Sequence, residues 1–163
     1  MDRTQKIIIS VFAAILAVIV ITIIIVAAGD KAPIIGDFIP PPFEENAVKG
    51  IPDPLPDFFG TLAISEELIV GVCATPSLKE NALDIYLTSH EKNISYVKIR
   101  IYDKKGEILG ESGLLKPGEH LRSLELSAPI PSGENELRAI ILSYEPDTYY
   151  SKGSAEIVLK IKA

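Results

Sequence analysis

The run from Ile7 to Ala28 carries no charge over 22 residues. As a helix it would be about 33 Å long, enough to cross a hydrocarbon core of about 30 Å. Ser10 and Thr22 are its only polar side chains, and both can hydrogen-bond back to the helix backbone. A helix buried in a water-soluble domain is apolar on one face, whereas this run is apolar all round. The run is rich in Ile and Val, which are modest helix formers in water. In lipid the backbone must satisfy itself internally, so the helix is still expected.

A cleaved signal peptide is the competing reading, with Val26 and Ala28 at the small-residue positions of a cleavage site. The run exceeds the roughly 7–15 apolar residues of a signal core, which favours an uncleaved transmembrane anchor. Arg3 and Lys6 precede it, while Asp30 and Lys31 after it cancel. The positive-inside rule therefore expects residues 1–6 in the cytoplasm and the C-terminal part outside the cell, in a single-pass cell-membrane protein.

Charge narrows the partners. The whole chain carries −6, and Asp2, Arg3 and Lys6 sum to +1, leaving −7 beyond the anchor. That argues against nucleic acid and against clinging to an anionic lipid surface; contact with lipid is expected through the anchor. The one cysteine, Cys73, cannot form an intramolecular disulfide and is expected as a small buried residue in a strand. Asn93-Ile94-Ser95 matches the N-glycosylation pattern, which matters only in a glycosylating host.

Residues 29–56 read as a proline-rich linker. Seven of the chain's 12 prolines fall between Lys31 and Pro56, and proline blocks both helix continuation and central strands. Aromatic residues punctuate this region and the start of the next: Phe38, Phe43, Phe58 and Phe59. They either pack on the domain edge or dip into the membrane interface, or they form a docking strip for a partner.

From residue 57 to 163 the pattern alternates. Leu83, Ile85 and Leu87 share one face. Val97, Ile99 and Ile101 oppose Tyr96, Lys98, Arg100 and Tyr102. Ile157, Leu159 and Ile161 oppose Glu156, Lys160 and Lys162. Period-two alternation marks strands with one buried and one solvated face. Strands are expected over 58–64, 67–74, 83–89, 95–103, 106–111, 119–127, 136–145 and 154–162. Turns are expected at Gly106, Pro117-Gly118 and Gly133. The expected fold is thus an all-β, immunoglobulin-like sandwich of about 7–8 strands preceded by one transmembrane helix.

The segment "SGLLKPGEHLRSLELSAPIPSGENELRAIILSY" resembles a recurrent stretch of bacterial and archaeal immunoglobulin-like surface modules. Leu115, Pro117 and Gly118 form its first turn, and Pro131 and Gly133 its second. The layout also resembles small single-pass, membrane-anchored proteins of clostridial-type Gram-positive bacteria, often found in mobile-element neighbourhoods. That layout has an anchor, a linker, an Ile51-Pro52 start and a hairpin around "YDKKGEILGESGLLKPGE". The resemblance implies a surface module and says nothing of chemistry.

No sequence motif for catalysis stands out, and a non-enzymatic protein is expected, with no cofactor. His90 and His120 have no partner at metal-ligand spacing. The acid pairs Glu44–Glu45, Glu66–Glu67 and Glu134–Glu136 lie beside turns, where solvated charge is the default. A calcium site from Glu145, Asp147 and loop carbonyls needs only oxygen ligands, but no EF-hand-like series of acids accompanies them. Tyr144, Tyr149 and Tyr150 crowd one loop, "YEPDTYY". Tyrosine there serves recognition or simply covers the core. Two functions follow. One is a tethered module making protein–protein contacts in a cell-surface or secretion/conjugation-type assembly. The other is a tethered sandwich binding a small ligand, glycan or calcium.

Overall fold

The computed structural model describes residues 38–65 and 67–162. The expected cytoplasmic segment 1–6, anchor 7–28 and first part of the linker lie outside the described residues. Among the described residues, no helix is long and apolar enough to cross a membrane.

The described chain is all-β, with strands β1 (Val48–Lys49), β2 (Phe59–Ser65), β3 (Leu68–Cys73), β4 (Leu78–Lys79), β5 (Ala82–Leu83), β6 (Leu87–Ser89), β7 (Tyr96–Tyr102), β8 (Ile108–Glu111), β9 (Glu119–Leu121), β10 (Leu124–Glu125), β11 (Glu134–Tyr144) and β12 (Ser151–Lys162). They form antiparallel sheets in the orders β1-β9-β6-β3-β2, β10-β5-β4 and β12-β11-β7-β8. Their apolar faces meet in one core that includes Val70, Leu87, Leu121, Ile99, Ile141 and Leu159, an arrangement consistent with a β-sandwich. Fully burying each such side chain is worth about 1.5–3 kcal/mol.

The alternation read from sequence places side chains well. Val97, Ile99 and Ile101 are fully buried, as are Leu83, Ile85 and Leu87. Gly106, Gly118 and Gly133 have φ of 89°, 78° and 109°, the left-handed turn geometry that glycine takes without steric cost.

Two of the expected strands are each broken in the middle. The 83–89 segment divides into β5 and β6, and the 119–127 segment into β9 and β10. β5 pairs with β10 in one sheet and β6 with β9 in another, so two neighbouring segments of the chain change sheet at the same level. Tyr86, with φ of 50°, makes the bend and donates its N–H to Arg122 O at 2.9 Å. Asp84 locks the corner. Its carboxylate accepts hydrogen bonds from Ser123 and from Ser77 at 3.2 Å, and meets Lys79 Nζ at 2.7 Å.

The linker reading needs adjusting. The compact unit begins at Pro40, not at residue 57. Leu114 N–H donates to Pro42 O at 2.8 Å and Glu44 N–H to Leu114 O at 3.0 Å. Gly113 N–H donates to Glu44 Oε2 at 2.7 Å. β1 then pairs with β9. Residues 42–49 thus cover one edge of the four-stranded sheet and then one edge of the five-stranded sheet. Proline content reads as spacer, yet a chain covering a sheet edge needs few of its own N–H groups, so prolines are tolerated there.

The glycosylation reading also meets a structural fact. Asn93 is 5% exposed. Its side-chain amide accepts from Ile69 N–H at 2.7 Å and donates to Ile69 O at 2.9 Å. It thus acts as one more pairing unit beside β3. Cys73 is buried as expected, its thiol donating to Asp57 O at 3.4 Å.

Candidate interaction face

The register of β7, β11 and β12 defines the outer face of the four-stranded sheet. Tyr96 lies opposite Tyr144, Lys98 opposite Leu142, Arg100 opposite Ile140 and Tyr102 opposite Arg138. β12 adds Glu156 beside Ile140 and Val158 beside Arg138, and β8 adds Glu111 opposite Arg100. Tyrosine, arginine and aliphatic side chains thus share one surface.

An aromatic cluster caps one end of this face. The rings of Phe43 and Tyr96 meet edge-on with centroids 5.1 Å apart. Tyr149 stands 6.3 Å from Phe43 and 5.9 Å from Tyr96. Lys116 Nζ sits 4.6 Å from the Phe43 centroid, within cation–π range. Phe43 reaches this place because it bridges to Leu114 in parallel. Tyr149 does so because its loop folds back on itself. Tyr149 N–H donates to Glu145 O at 2.8 Å and Glu145 N–H to Tyr150 O at 2.9 Å, with Tyr149 at φ of 58°.

The middle of the face is charged but covered. Lys98, expected on the solvated face, is 5% exposed. It does point to the outer face, but it turns toward β8 to reach Glu111 Oε1 at 3.0 Å, with Leu142 of β11 on its other side. Long lysine stems pack in this way against apolar neighbours. Arg100 Nε donates to Glu111 Oε2 at 2.8 Å. Desolvation alone would raise the Glu111 pKa. Hydrogen bonds from Lys98 and Arg100 outweigh it and hold the carboxyl below its ordinary value. Arg100 is held above its ordinary range, first by its hydrogen bond with Tyr102 and then by Glu111, against desolvation. At the far end the Arg138 guanidinium lies 5.0 Å from the Tyr102 ring.

The structure therefore brings together Phe43, Tyr149 and Tyr144 from the candidate set, joined by Tyr96 and Lys116. Phe58 and Phe59 lie elsewhere, at the start of β2. Phe58 is 73% exposed with φ of 59°. Tyr150 is exposed. Phe38 precedes the compact unit and is also exposed. Sequence alone did not join Phe43 to Tyr96, 53 positions apart in the chain. The alternation at 96–102 was the available signal, since it placed Tyr96 and Tyr102 on the outer face.

The outer face of the five-stranded sheet holds a cavity of about 350 Å³ lined by Phe59, Thr61, Gly71, Thr88 and His90. A Cβ at Gly71 would meet Phe59 Cζ at 2.4 Å, so any larger residue there would push that ring aside. His120 stands in the same sheet, where its Nδ1–H donates to Gly50 O at 2.8 Å and so helps hold residues 48–50. Among the described residues, no group of three or more His, Cys, Asp or Glu side chains could hold a metal ion.

No protein-family model matches this sequence, and no curated protein matches it.

Proposed function

We propose that this chain is a membrane-tethered, extracellular, non-enzymatic module. Its immunoglobulin-like sandwich contributes protein–protein contacts to a cell-surface or secretion/conjugation-type assembly. The observation that carries this reading is the outer face of the four-stranded sheet. Tyr96, Tyr102, Tyr144, Tyr149, Phe43, Arg100 and Arg138 occupy one surface. Tyrosine and arginine dominate the residues that carry binding energy at protein interfaces, and here their rings and guanidinium groups are held by neighbours before any partner arrives. The apolar run at 7–28 supports the tether.

A second reading, a glycan- or small-ligand-binding sandwich, is favoured by the cavity at Phe59. There Phe59, Thr61 and Thr88 line one concavity.

The two readings separate by photo-crosslinking of the full chain in its own membrane. A benzoylphenylalanine at Tyr149 should capture a discrete protein partner, while the same group at Lys105, in the β7–β8 turn, should not. Equal labelling at both positions, or none at Tyr149, overturns the protein-contact reading. Glycan capture at Thr61 would replace it with the second.

A further inference from the structure

We propose that β2 is a docking edge for a second copy of this chain, pairing antiparallel with the same strand of its partner. In β3, Ile69 O accepts from His90 N–H at 3.2 Å, and Cys73 N–H donates to Ile85 O at 2.8 Å. Odd-numbered residues of β3 therefore point their backbone groups away from β2. Val70 and Val72 point toward it, opposite Leu62 and Gly60. In an antiparallel ladder each residue turns its N–H and C=O the same way, with alternate residues turning opposite ways. Thr61 and Ala63 consequently aim theirs outward, and no strand lies beyond β2 among the described residues. Gly60 through Ala63 are all exposed.

Natural sheets protect such edges with charge, proline, short strands or a covering segment. The other long edge here, β12, carries Lys152, Glu156, Lys160 and Lys162. β8 is covered by Ser127 N–H, which donates to Leu109 O at 2.6 Å, and by the arm at Pro42–Glu44 that pairs beyond it. β1, β4 and β10 have two residues each. β2 is "FGTLAIS", seven residues with neither charge nor proline.

The strand also suits itself. A two-fold axis at Thr61 sets Thr61 against Thr61 of the second copy, and both present outward backbone groups, as a hydrogen-bonded pair requires. That register places Leu62 against Gly60 and Phe59 against Ala63, a large side chain facing a small one on each sheet face. No residue of Phe59–Ser65 is charged, so no like charges face each other within the paired strands. The nearby Glu67 is already paired with Lys152 Nζ at 3.2 Å. The chain's −6 charge therefore puts no like charges opposite each other along this strand. The resulting contact is isologous and closed, which is the commonest symmetry of homodimers.

The test uses the full chain in mild detergent. Sedimentation equilibrium should show a concentration-dependent dimer. Thr61→Lys, which sets two ammonium groups face to face, should raise its dissociation constant about tenfold or more with an unchanged far-UV circular dichroism spectrum. Thr61→Cys should cross-link to itself with a short bifunctional thiol reagent much faster than Lys105→Cys does. If Thr61→Lys fails to fold, the near-isosteric cysteine variant decides. A wild-type chain that stays monomeric, a dimer indifferent to Thr61→Lys, or a Thr61→Cys chain that cross-links no faster than the Lys105→Cys control would each overturn the proposal.

Discussion

Replacing Asp84 with alanine removes the group that holds two strands at the point where both change sheet. Its carboxylate accepts from the hydroxyls of Ser77 and Ser123 and meets Lys79. The residue is 5% exposed, whereas the Lys79 side chain is 63% exposed. Lys79 returns to water when the carboxylate goes, so that ion pair adds little to the loss. The half-buried Ser123 hydroxyl loses a charged acceptor worth about 1.5–3 kcal/mol, while the exposed Ser77 hydroxyl returns to water and adds little. The expected cost is about 2 kcal/mol, against a total of about 5–15 kcal/mol for a domain. At a urea dependence of about 2 kcal/mol per molar, the midpoint falls by about 1 M. Tyrosine fluorescence of the full chain follows the transition, since the protein has no tryptophan.

Asp84→Asn keeps the shape and should cost about half as much, because it exchanges charge-assisted hydrogen bonds for neutral ones. The pH dependence supplies an independent check. Desolvation pushes the Asp84 carboxyl up. Hydrogen bonds from Lys79 and Ser123, then the Lys79 charge and Ser77, outweigh it and leave its pKa lowered. A lowered folded-state value gives stabilisation that is complete above the unfolded value of about 3.9. That stabilisation is lost as pH falls through the folded value. The gap between wild type and Asp84→Asn should therefore narrow below about pH 4. A cost under about 1 kcal/mol for Asp84→Ala, or a gap constant from pH 7 to pH 3, would refute the corner's role.

Ile99→Asp should abolish cooperative unfolding, because it buries an unpaired carboxylate at a fully buried position. Lys98→Asp should also destabilise, by about 2–4 kcal/mol, since it sets a second carboxylate against Glu111. Lys98→Met should be close to neutral in the same denaturant titration. Gly113→Ala should release the 42–44 arm, because a Cβ there meets Glu44 N at 2.5 Å and the Phe43 carbonyl carbon at 2.7 Å. Limited proteolysis should then cut between Pro40 and Gly50, and an unchanged digest would contradict the docked arm. Tyr149→Ala should abolish co-purification of the partner captured at that position while lowering stability by about 1–2 kcal/mol, the worth of its half-buried contacts with Phe43 and Tyr96.

The strands themselves were legible. Alternation in "SYVKIRIYD" and "AEIVLKIKA" gave the buried faces of β7 and β12. The turn glycines at 106, 118 and 133 gave the hairpin and loop positions. What alternation cannot register is a change of sheet. Leu83, Ile85 and Leu87 keep their period of two straight through the bend at Asp84–Tyr86, because all three stay buried on both sides of it. The pattern reports which side chains face the core and is silent on which strand the backbone bonds to.

The candidate site divides along the same line. Tyr144 and Tyr149 are close in sequence, and composition alone drew attention to their loop. Phe43 joined them only through a bridge to Leu114, a pairing 71 positions apart. Composition likewise read residues 29–56 as a spacer, although the backbone of residues 42–49 covers sheet edges, where missing N–H groups matter little. Lys98 is polar in sequence and buried in the fold because Leu142 and Glu111 lie beside it. Local periodicity thus determined the class of fold and the identity of the core, since both depend on side chains a few residues apart. Tertiary structure decided which edges are covered, which outward charges are buried and which aromatics meet. Those outcomes depend on backbone pairing between segments that no local pattern connects.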